Sequence, residues 1–166
     1  QMEEAQNSFN KAIEITKRIY GENSPHLAKI YWRIGFHNSF NPRGAKAAEI
    51  YMNKTIELYK NIYKTENITA IVHCYSALGY LYMFQGLCVK ALGYFQKAID
   101  LLHNSPGEIH PKVLSLYIIT AYVECLLGHP QSAYDRLKAV IGLVKEKMGD
   151  SVSLISLYLT FSISTW

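Results

Sequence analysis

Residues 75–98 read YSALGYLYMFQGLCVKALGYFQKA. Tyr75, Leu78, Gly79 and Tyr82 share one face of a helix, Gln85-Gly86 breaks it, and Ala91, Phe95 and Ala98 recur at helical spacing beyond the break. The stretch therefore predicts two helices joined by a short turn. Glycine inside a helix costs about 1 kcal/mol relative to alanine, so Gly79 needs a reason to be there. A close approach to the second helix at Ala91, twelve residues on, supplies one.

The same pattern recurs along the chain. Ala5, Ala48, Ala91 and Ala133 stand 43, 43 and 42 residues apart, each followed at the same offsets by Phe9, Met52, Phe95 and Leu137 and then by Ile13, Ile56, Ile99 and Ile141. The preceding helix repeats as Tyr31–Ile34–Gly35, Tyr75–Leu78–Gly79 and Tyr117–Thr120–Ala121. Self-similarity at a fixed period of this size marks a repeat architecture. Gly21-Glu-Asn-Ser-Pro25 and Gly107-Glu-Ile-His-Pro111 are the joints between repeats, with Ser24-Pro25 and His110-Pro111 reading as N-cap plus first-turn proline. Helices are predicted over 3–20, 26–40, 45–63, 70–84, 88–103, 112–127, 131–147 and 151–165, an all-α superhelical solenoid of about eight antiparallel helices.

Composition agrees with an ordinary globular chain: 166 residues, 49% apolar and 18% charged. No run of apolar residues is long enough to cross a membrane, so no membrane association is expected. Residues 1–64 carry ten Lys/Arg against six Glu, leaving the +4 net charge in that half. Without a dense basic stripe, this asymmetry points to acidic protein partners rather than nucleic acid. Cys74, Cys88 and Cys125 have no metal-ligand spacing and read as reduced thiols of a cytoplasmic protein.

The run Tyr75, Leu78, Gly79, Tyr82, Gly86, Ala91, Phe95, Ala98 resembles the tetratricopeptide repeat (TPR) signature, lacking the usual proline after the second helix, where His103 stands. The next repeat keeps Tyr117, Ala121, Gly128, Ala133 and Leu137 but departs at Thr120, Glu124 and Val140. The previous one keeps Tyr31, Ile34, Gly35 and Ala48 and departs at Asn38, Met52 and Thr55. The period of 42–43 residues is similar to the long repeats of kinesin light chains. The register divides the chain into a second helix (1–24), three repeats (25–67, 68–109, 110–149) and a first helix (150–166). Opening on a second helix and closing on an uncharged first one, the chain is expected to be a fragment of a longer array.

The resemblance implies a non-enzymatic scaffold whose first helices line a concave groove. Register places Lys29, Trp32, Arg33, Phe36, Phe40, His73, Ser76, Tyr80, Phe84, Ile118 and Tyr122 in that groove, flanked by Ser115 and Leu126. Aromatic and basic residues are those most often found at binding hot spots, so the expected partner is a protein or peptide segment with large apolar side chains and an acidic residue. The alternative for any of these residues is packing between repeats. Two other settings fit the same helices: the helical domain of a larger enzyme, such as a SET/MYND lysine methyltransferase, or a bacterial receptor for signalling peptides. The carboxylate clamp of chaperone-binding repeats is missing, because Trp32, Phe36, Ser76, Tyr80, Ile118 and Tyr122 occupy its places. Phosphate-loop, HExxH, CxxC and GxSxG motifs are absent. No cofactor or metal is expected, His103, Glu108 and His110 being the one cluster weighed for it. Asn53-Lys-Thr55 and Asn67-Ile-Thr69 match the glycosylation pattern, the former with its threonine at a core position. Oligomeric state is not legible.

Overall fold

The computed structural model describes residues 2–41, 44–63, 68–103 and 111–148. Among them are seven helices: α1 (Met2–Tyr20), α2 (Pro25–Ser39), α3 (Ala45–Tyr63), α4 (Ile68–Phe84), α5 (Cys88–His103), α6 (Pro111–Leu126) and α7 (Pro130–Met148). Each lies within two residues of its predicted bounds. The eighth predicted helix, 151–165, and the joint before Pro111 lie outside the described residues. The chain divides into two compact units, Gln1–Leu81 and Tyr82–Trp166, with the boundary inside α4.

Local chemistry sets the helix ends. Ser24 is extended (φ −126°, ψ 146°), and its Oγ accepts from the Leu27 amide at 3.2 Å, capping α2 ahead of Pro25. Gly86 and Gly128 close α4 and α6 at φ 73° and 78°, a conformation that side chains with a Cβ resist. Past each glycine the next amide turns back, Leu87 to the Tyr82 carbonyl and His129 to the Glu124 carbonyl, both at 2.9 Å. That bond satisfies a carbonyl the helix would otherwise leave open.

In the first unit, α2 packs on α1 and α3. Leu27, Ala28, Tyr31 and Leu58 form a buried cluster with Ile13, Tyr51, Tyr59 and Ile62 against it. Gly35 is buried where α2 meets α3: a Cβ there would stand 3.0 Å from Met52 Cγ, 3.2 Å from the Met52 amide nitrogen and 3.3 Å from the Ala48 carbonyl oxygen. The expected meeting of small residues is thus realised in this pair. Thr55, fully buried, turns its hydroxyl to the Tyr51 carbonyl at 2.8 Å. The threonine of the Asn53 glycosylation pattern is thus a packed residue of α3, as its helical position predicted.

In the second unit, α6 packs on α5 and α7. Ala121, Ala133, Leu137 and Val140 are buried together with Leu114. Phe95, Ala98 and Ile99 of α5 are sealed from solvent as well, each large apolar side chain so buried contributing about 1.5–3 kcal/mol. Gly93, by contrast, has nothing within 4 Å of where its Cβ would be.

Two measurements follow from these contacts. Gly35→Val should lower stability by about 2 kcal/mol through overpacking against the α3 backbone, whereas Gly93→Ala should raise it by up to about 1 kcal/mol; urea unfolding midpoints decide both. Burial pushes the Cys74 thiol up to about 12, so in the folded chain iodoacetamide at mildly alkaline pH should modify Cys88 and Cys125 well before Cys74. Because the unfolded chain releases that proton earlier, stability should fall as pH rises from the ordinary thiol range toward 12.

Candidate functional site

On α2, Trp32, Phe36 and Phe40 follow one another at four-residue steps, so their rings rise along one stripe of the helix. The Trp32 and Phe36 rings stack at 5.0 Å and 13°, and Phe36 meets Phe40 edge-on at 4.9 Å. Phe36 is 41% and Phe40 73% exposed. Two large aromatic rings of the stripe are thus left largely in water.

At the N-terminal end of that stripe lies a cleft of about 330 Å³ lined by Lys29 and Trp32 of α2, Tyr59 of α3, and Ala70 and His73 of α4. Three of the residues expected in the groove are therefore brought together. Arg33 is exposed beside them on α2. Tyr80 on α4 is 37% exposed, and partial burial holds its phenol above the usual range. Ser76 departs from expectation. It is only 4% exposed, and its hydroxyl donates to the Val72 carbonyl at 2.7 Å. A short side chain at that step of α4 is covered by its neighbours, so Ser76 is not part of an open surface.

In the second unit Phe84 is 81%, Tyr122 52% and Leu126 55% exposed, and Ser115 is exposed as well. Ile118 is half-buried and packs against the α6–α7 core, so it is less open to solvent than the register expected. Ile118, Tyr122 and Leu126 nevertheless stand at the same four-residue steps on α6 as Trp32, Phe36 and Phe40 on α2.

One constellation was not anticipated from the sequence. Glu124, 5% exposed, accepts from Arg136 Nη2 at 2.8 Å and from Arg136 Nε at 3.1 Å, and its Oε1 takes a further bond from Ser132 Oγ at 3.1 Å. Arg136 Nη1 reaches Gln96 Oε1 at 3.2 Å, and Gln96 Nε2 donates to Asp100 at 2.8 Å. Register explains the placement: 42 residues earlier, Glu124 and Arg136 correspond to Tyr82 and Tyr94, whose rings stack at 5.5 Å and 6°. An ion pair and an aromatic stack thus occupy equivalent positions. The only advance signal was the departure of Glu124 from the repeat signature. Removing one partner strands a buried charge: Arg136→Met should cost about 3 kcal/mol in urea unfolding, and Glu124→Tyr/Arg136→Tyr should recover most of it.

Among the described residues no group of three or more His, Cys, Asp or Glu is arranged to hold a metal, and no helix is long and apolar enough to cross a membrane. His103 bonds instead to the Tyr117 hydroxyl at 2.6 Å, while Glu108 and His110 lie outside the described residues.

No protein-family model and no curated protein matches the chain. Solved structures do. A Podosopora anserina protein described as a kinesin light chain with nearly identical TPR-like repeats superposes with a TM-score of 0.75 at 13% identity, over 99% of this chain and 77% of that one. A point variant of that protein gives 0.74 at 14% identity over the same shares. BtubC (BKLC) from P. vanneervenii gives 0.71 at 19% identity, over 90% of this chain and 59% of that one. With the helix pairs and their small-residue contacts in register, the fold is the TPR-like repeat fold, of the all-α class to which superhelical solenoids belong.

Proposed function

We propose that the chain is a non-enzymatic scaffold that binds a segment of a partner protein on its first helices. The observation that carries this reading is the cleft of Lys29, Trp32, Tyr59, Ala70 and His73 continuous with the exposed Phe36 and Phe40. Trp32 and Tyr59 offer flat apolar walls, while Lys29 and Arg33 provide cationic ends for a carboxylate. The bound segment therefore carries a large apolar side chain and an acidic residue close to it. Tyr80 extends the surface on α4, and Phe84, Tyr122 and Leu126 supply comparable apolar contacts in the second unit. Three free thiols, one of them buried, fit a cytoplasmic setting.

The test is selection from a displayed random-peptide library followed by titration of the winning peptides. Trp32→Ala should weaken them by about tenfold or more, a loss typical of an aromatic hot spot, without lowering the melting temperature. Lys29→Glu should reverse the preference for acidic residues. Peptides that bind both variants as well as the wild type would remove this surface from the function.

A further inference from the structure

The cleft beside Trp32 is bordered by one conspicuously short side chain, Ala70 of α4. Five residues before Tyr31, Tyr75 and Tyr117, the same step of the three first helices carries His26, Ala70 and Lys112 in turn. Where α2 adjoins α1, the His26 ring lies flat on Tyr20, the last residue of α1, at 4.0 Å and 12°. At the matching step of α4, Ala70 extends a single methyl group. Tyr59 of α3 is then left as a wall of the open cleft, together with Lys29, Trp32 and His73.

Close packing does not require that methyl group. Ala48, Ala91 and Ala133, the alanines at the repeating step of the second helices, are sealed from solvent, and enlarging a side chain at such a site overpacks it. Ala70 is only half-buried and borders empty space. The histidine at the corresponding step of α2 shows that the first turn of such a helix carries a long side chain without breaking. What the short one provides here is room.

The room has a definite scale. About 330 Å³ is at the low end for a small-molecule site and suits a single large side chain entering from a partner. Such a side chain can cover the Trp32 and Tyr59 rings only if nothing longer than a methyl group projects from position 70. In a packed contact even one added methylene is felt. We infer that Ala70 is the specificity-determining residue of this surface, fixing the size of the partner side chain that the cleft admits. The inference rests on the reading of that cleft as the binding site.

The experiment selects a displayed random-peptide library in parallel on the 166-residue wild-type chain and on Ala70→Leu. Leucine is a good helix former, and here it projects into open space, so the melting temperature should not fall. Peptides selected on the wild type should share one bulky apolar side chain and bind Ala70→Leu about tenfold or more weakly, the range over which methylene groups in an apolar pocket discriminate. Peptides selected on Ala70→Leu should carry alanine, serine or valine at that position instead. Thr69→Leu, at an exposed neighbour outside the cleft lining, should change neither preference. Peptides that lose affinity for Trp32→Ala yet bind Ala70→Leu as tightly as the wild type would overturn this inference and leave the binding surface standing. Peptides indifferent to both substitutions, or no enrichment on the wild type, would overturn both.

Discussion

Everything in this fold depends on how near two helices can come. At Gly35 the α3 backbone passes so close that a single methyl group would touch the Ala48 carbonyl and the Met52 amide. In the α6–α7 pair, Ala121 and Ala133 take the corresponding roles in one buried cluster. Close approach lets the large residues on either side, such as Leu27 and Ile34 or Leu116 and Leu137, lose nearly all their contact with water. Hydrophobic burial then supplies the stabilisation that short connections and weak helix propensity cannot.

The helix pairs were legible because their determinants are local and periodic. Alanines 42–43 residues apart, a serine and proline opening α2, and glycines closing α4 and α6 each act through their own backbone or one adjacent helix. Side-chain environment was less legible, because it depends on what a neighbouring helix brings. Register alone places Ser76 and Tyr80 on one line, but the short side chain is covered and the long one reaches solvent. Ile118 is similarly drawn into the α6–α7 core, whereas Tyr122, one turn later, stays out.

The Glu124–Arg136 pair was illegible for a different reason. The two residues are twelve apart on separate helices, and each alone reads as a solvated charge. Only their joint correspondence to Tyr82 and Tyr94 shows that they fill one place in the repeat. The exposed aromatics on α2 could be read from sequence as candidates, yet the cleft beside them needed Tyr59, which lies on the helix expected to face away.

That substitution of an ion pair for stacked rings also limits how such a protein can evolve. Exchanging α7 for a copy of α5 would set Tyr94 against Glu124 and trap a lone carboxylate in the interior, while the reverse exchange would leave a guanidinium facing Tyr82. Helices are therefore not interchangeable parts here. Duplication or loss can proceed only by complete hairpins, which keeps the partners of each private code together.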